Sequence, residues 1–334
     1  MNNLKKIGLT ALGTALVATS VSAGEMSVSG GASIAMQHAT DGDGANSGKK
    51  FQMGNQLTFT GGGTLDNGLD VSLSFIIDQA DNDTDSTGGQ GTSPFDSHSV
   101  SIGNDTLGTF TFHGEGADSA ENAMHNVITG DLYDNDMGAT AGSESSAGDN
   151  TMTYYNSSLY DGLTVGASYT PRGGNSDSES TTGLYSSATA WSLQYDGVEG
   201  LSVGYASGEN TATKGSEADV DTYFISYAYG PVTVGYGATE YDSEATATDA
   251  DRDLTTYEIA YTLTDSISIS YGVETLETPN KASDVDQEVT GIKASYTAGG
   301  MTLGIAQVDA ENVGFDNSAT QDDEMWEVSA SFAF

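Results

Sequence analysis

Residues 254–277, LTTYEIAYTLTDSISISYGVETLE, change character at every second position. Tyr257, Ile259, Tyr261 and Leu263 fall on one side of an extended chain, and after the break at Thr264-Asp265 so do Ile267, Ile269, Tyr271 and Val273. Thr256, Glu258, Thr262, Ser268, Ser270 and Glu274 face the other way. Period-two alternation of aromatic and branched residues, interrupted by a tight turn, predicts a β-hairpin. Such a hairpin has one oily face and one wet face. In a sandwich the oily face meets a second sheet. In a membrane barrel it meets lipid, and the wet face turns toward water.

The same phrase returns along the chain, as GLDVSLSF (68–75), GLTVGASY (162–169), GLSVGYAS (200–207), GPVTVGYG (230–237) and GMTLGIAQ (300–307), each beginning at a glycine-bearing turn. Strands are predicted near 25–38, 50–63, 69–78, 95–103, 107–113, 150–158, 163–171, 187–196, 201–208, 219–229, 232–241, 254–264, 266–277, 286–298, 301–310 and 324–334, sixteen in all. Short connectors such as LYDG, GVEG and GP alternate with acidic, Ser/Thr/Gly-rich ones of about eight to more than thirty residues. Short turns on one rim and long loops on the other predict an all-β fold, a sixteen-stranded antiparallel up-and-down transmembrane barrel. Sixteen strands close a cylinder too wide for side chains to fill, so its middle holds water. Tyr160, Trp191, Tyr195, Tyr227 and Tyr229 stand at or near strand ends, where interfacial aromatics gather. A mean hydropathy of −0.31 agrees, because only alternate strand residues meet lipid.

The first residues set the compartment. Lys5 and Lys6 precede an apolar run over 7–18, and Val21-Ser22-Ala23 offers small residues for cleavage, so 1–23 reads as a secretory signal and 24–334 as the barrel domain. That leaves seven basic side chains against 48 acidic ones. Nucleic acid is excluded as a partner, since phosphate binding needs Lys and Arg. The acidity fits a saline environment and also draws cations. With no cysteine there are no disulfides and no thiol chemistry.

The chain ends on MWEVSASFAF (325–334), with Trp326, Val328, Ala330, Phe332 and Phe334 on one side. With its leader, sixteen strands, long third connector and terminal aromatic, the whole chain resembles the Gram-negative outer-membrane porins, most closely the alphaproteobacterial, Rhodobacter-type branch. The resemblance implies an outer-membrane channel for passive diffusion of small hydrophilic solutes and ions, lipid around the barrel, a homotrimer, and Phe332 and Phe334 as a signal for the barrel-assembly machinery. It also implies that the third external loop, near 114–149, folds inward to narrow the pore to an eyelet. The candidate eyelet acids are Glu115, Asp118, Glu121, Asp131, Asp134 and Asp136. Porins of this branch oppose such acids with basic residues. Here Lys50 and Lys293 have inward phase, and Arg172 and Arg252 sit at strand–loop borders. That basic set is thin, so the expected channel prefers cations.

Other chemistry finds less support. Asp81, Asp83 and Asp85 have a spacing that could hold calcium weakly, without a full EF-hand pattern around them. His38, His98, His113 and His125 are too scattered for a zinc site. No GxSxG motif is present, and neither an enzyme nor a cofactor is expected. The rival readings are a substrate-selective channel of the same fold, an outer-membrane barrel enzyme, and a secreted acidic calcium-binding β-protein.

Overall fold

The computed structural model describes residues 25–40, 48–78, 95–125, 150–171, 187–210, 217–243, 251–278, 285–317 and 322–334. The expected leader at 1–23 lies outside them. Sixteen strands form one closed barrel in which each pairs with its sequence neighbours and β1 with β16. They are β1 (Glu25–Thr40), β2 (Gly48–Thr64), β3 (Asp70–Asp78), β4 (Phe95–Asn104), β5 (Gly108–Glu115), β6 (Thr151–Tyr160), β7 (Leu163–Thr170), β8 (Ala188–Val198), β9 (Leu201–Asn210), β10 (Ala218–Tyr229), β11 (Val232–Ser243), β12 (Arg252–Thr264), β13 (Ile267–Glu277), β14 (Gln287–Ala298), β15 (Met301–Glu311) and β16 (Asp323–Ala333). One short helix, α1 (Asn122–His125), follows β5. No helix among the described residues is long and apolar enough to cross a membrane.

Turn chemistry explains the tight rim. Gly162 and Gly200 take φ of 76° and 78°, a region closed to most side chains. Asn67 and Asn104 accept hydrogen bonds from Leu69 N and Leu107 N at 3.1 and 2.8 Å, closing Asx-type turns. At the seam, β1 and β16 run in register from Gly31 opposite Ala333 to Thr40 opposite Glu324. Gly30 and Phe334 then exchange both backbone hydrogen bonds, at 2.8 and 3.0 Å.

Alternation sorts the side chains as the sequence pattern requires. Val234, Tyr257, Ile259, Tyr261, Ile269, Tyr271, Leu303 and Ile305 are exposed on the outer wall. Trp191, Tyr205, Tyr223, Tyr236 and Tyr257 form an aromatic row, with ring centroids 5.3 Å apart for Trp191–Tyr205 and 5.1 Å for Tyr236–Tyr257. Toward the long-loop rim the outward positions become acidic, with Asp221 opposite Glu240, Glu240 opposite Asp253, and Asp253 opposite Glu277. Like charges directly opposite repel, which only a water-exposed zone tolerates, so this change marks where the outer wall turns from apolar to hydrated. Inside, Ser, Thr, Gly and Ala dominate. Two buried apolar clusters interrupt them, Met124 with Ala206 and Phe224, and a larger group running from Leu254 to Met325.

Candidate functional site

After β5 the chain turns into the lumen. His113, the last inward residue of the regular ladder, lies 3.1 Å from Thr153 Oγ1 on β6. Ser119 Oγ caps the helix by accepting from Asn122 N at 3.0 Å. Asn122 Nδ2 donates to Asp118 Oδ1 at 2.9 Å. Three contacts then fasten this segment to the wall. Ala120 N donates to Ser168 Oγ on β7 at 2.9 Å. Glu121, fully buried, accepts from Thr222 Oγ1 on β10 at 2.6 Å, and Thr222 lies 2.8 Å from Thr239 Oγ1 on β11. Met124 packs on Ala206 and Phe224. Gly204 makes that seat possible, because a Cβ there would stand 2.1 Å from the Phe224 ring.

A polar stripe runs round the rest of the lumen. Register places Lys293 (β14), Ala306 (β15), Glu327 (β16), Gln37 (β1) and Lys50 (β2) in one inward row. Gln37 Nε2 donates to Glu327 Oε2 at 2.7 Å, and Gln52 Nε2 donates to Gln37 Oε1 at 3.0 Å. Glu258 on β12 is inward, one row nearer the loops, and interacts electrostatically with Lys293. The intervening Gly272, Gly291 and Ala306 add no bulk, so the charged groups are not walled off from one another. Round a sixteen-strand circle β2 lies eight strands from β10. The wall bearing Lys50 therefore faces the wall to which α1 is fastened, and the water path runs between them.

A family model described as Gram-negative porin matches residues 8–288. The chain belongs to the Gram-negative porins. Several solved structures of Rhodopseudomonas blastica porin variants share its fold. One five-substitution variant aligns at a TM-score of 0.64 and 14% identity, covering 93% of this chain and 100% of that one. A tryptophan-substituted variant aligns at 0.64 and 15%, and another at 0.65 and 14%, with the same coverage. No curated protein matches in sequence. The porin is thus a non-enzymatic outer-membrane channel through which small solutes and ions diffuse passively.

Within the porin, the six candidate eyelet acids separate. Glu115 ends β5 and is exposed. Asp118 is exposed and lies close enough to His113 and Tyr155 to act on both electrostatically. Glu121 is turned into the wall rather than the water. Asp131, Asp134 and Asp136 lie outside the described residues, as do Arg172 and the calcium candidates Asp81, Asp83 and Asp85. No group of three or more ligating side chains converges as a metal site among the described residues. Lys50 and Lys293 share the inward row, and Arg252 opens β12 opposite inward Tyr241. Phe332 and Phe334 are outward, Phe334 strongly exposed, with its ring over Gly30.

Sequence reasoning left Glu258, Glu327, Gln37 and Gln52 out of the site. Their inward phase was readable, since each is flanked by outward-facing neighbours such as Ile259 and Val328. Their association was not, because the Gln37–Glu327 contact spans 290 residues of chain.

Proposed function

We propose that this porin is a general diffusion channel that prefers cations. The observation carrying the reading is the lumen's charge balance. Asp70, Asp118, Glu258 and Glu327 belong to the inner side, whereas among the described residues the inward basic side chains are Lys50, Arg252 and Lys293. The long connectors add many of the remaining acids. Two unit charges about 4 Å apart interact by ~1 kcal/mol in bulk water and by ~4 kcal/mol where the effective dielectric falls to that of a protein surface. At physiological salt, screening acts over about 8 Å, so a narrow acidic lumen keeps its preference and a wide one loses it. Reversal potentials across a planar bilayer under a potassium chloride gradient are expected to show cation preference that weakens as salt rises. Anion preference at low salt would overturn the reading.

The working unit is a homotrimer in contact through the β1–β5 wall. All seventeen tyrosines lie between Tyr133 and Tyr296, and the tryptophans are Trp191 and Trp326. The outer wall of β1–β5 instead exposes Met26, Val28, Ile34, Met53, Leu57, Leu73, Val100 and Ile102. It also lacks the acidic rim at the long-loop ends of β1 and β2, where His38 and Lys49 point outward. Tyr and Trp mark the lipid headgroup level, and a wall without them suits a protein neighbour. Phe334, presented outward at the seam, is the feature through which the assembly machinery recognises the chain.

A further inference from the structure

We infer that residues 312–317, which follow β15, form a second constriction in the long-loop mouth, beside the segment carrying α1. This deepens the diffusion-channel reading and rests on it. The lumen of a water-filled barrel is expected to be polar at every inward position. From β11 to β1, at the long-loop rim, it is not. Inward Tyr241, Leu254, Leu276, Val289, Val308, Ala310, Met325 and Ala39 form one apolar patch. Val289 and Val308 are 0% exposed and Ala310 1%, so the centre of this patch is sealed from the water of the channel.

Its cover is on the chain itself. Val313 and Phe315 pack on it, and Phe315 is itself buried. Hydrogen bonds fix the connector in that position: Asn312 N to Asp322 Oδ1 at 3.1 Å, Asn312 Nδ2 to Asp286 O at 3.0 Å, Gly314 N to Gln287 Oε1 at 3.3 Å and Phe315 N to Asn312 O at 2.8 Å. Asn312, Gly314 and Phe315 all take positive φ, at 57°, 70° and 62°. Asparagine and glycine tolerate that conformation, but a bulky aromatic persists there only when its surroundings hold it. The strain and the burial thus have one cause, the insertion of the Phe315 ring among inward side chains.

Position gives the insertion its consequence. The Val308–Met325 pair lies one inward step above the Ala306–Glu327 pair, so the covered patch sits directly over the Lys293–Glu327–Gln37–Lys50 row. A solute approaching that row from outside must pass beside the connector. The connector is anchored at β14–β16, whereas α1 is anchored at β7–β11. Two inward folds held on different arcs thus both narrow the passage, the second by the bulk of a segment seated on an apolar wall.

The test uses the full-length porin in planar bilayers and in liposomes loaded for swelling with neutral sugars of graded size. F315S is expected to raise single-channel conductance by about 1.5-fold and to admit larger sugars, while the barrel keeps its heat-modifiable mobility on gels. N317C provides a second reading at an exposed residue of the same connector and does not depend on F315S folding. The chain has no cysteine of its own, so a charged thiol-reactive methanethiosulfonate acts at that position alone. Reagent added to N317C channels is expected to lower their current. An unchanged conductance and sugar cut-off in folded F315S, or an N317C current indifferent to the reagent, overturns the second constriction. A wild-type chain that forms no channel would sink the diffusion-channel reading itself, a separate result.

Discussion

Glu121 is a carboxylate with no access to solvent, in a protein whose other acids are mostly hydrated. Its role is mechanical, since it ties the segment that crosses the lumen to Thr222 on the far wall. A hydrogen bond to a charged acceptor contributes about 1.5–3 kcal/mol, enough to hold a short segment that has little helix of its own. E121A is expected to release α1 while leaving the strand ladder intact. The readout is single-channel recording, which should show a larger mean conductance and noisier open current with unaltered gel mobility. A quiet channel of unchanged conductance would mean that Ser168 and Phe224 suffice as anchors. M124A acts on the same hinge through packing, where truncating a buried methionine costs about 2–5 kcal/mol, and is expected to shift the current in the same direction.

The strands and the inserted segments differ in how far local sequence reveals them. Sixteen strands were legible because each repeats a two-residue rhythm between turn residues, and GLSVGYAS shows the rhythm and the turn together. α1 was not legible, because four residues hold barely one turn and NAMH has no periodicity to detect. The insertion of Phe315 was hidden for another reason. Leu254, Val289 and Val308 alternate onto the inside, but the cluster they form with Phe315 is made by pairings between strands and is not written in any one of them. The seam strand β1 carries a sharper requirement that sequence alone also concealed. A Cβ on Gly30 would stand 2.6 Å from the Phe334 ring and 2.9 Å from Leu57. G30V therefore sets a side chain against the terminal aromatic, an overpacking of about 1–3 kcal/mol at the β1–β16 seam. Assembly into vesicles, followed by the heat-modifiable gel shift, is expected to be slower and less complete for G30V than for wild type. Equal assembly would show that the ring can lie elsewhere.

At the scale of the whole molecule, the barrel is not uniform round its circumference. Tyr, Trp and the acidic rim occupy the arc beyond β5, and plain aliphatic and phenyl side chains the rest. If the proposed trimer uses that plain arc, A32W on its face should leave monomers, while I259W on the lipid arc should leave trimers. Sizing in detergent by light scattering checks both, and trimers from each variant alike would remove the arc as the contact. The β1–β16 seam has a final consequence for biogenesis. The opening strand finds its second neighbour only in β16, fifteen strands later in synthesis, so a nonsense codon anywhere before that strand leaves an unsealed ribbon with two raw borders. Such a ribbon displays unsatisfied amides along both borders, which makes incomplete copies ready prey for envelope proteases and self-association. Closure by the tail thus works as a proofreading step on the message itself.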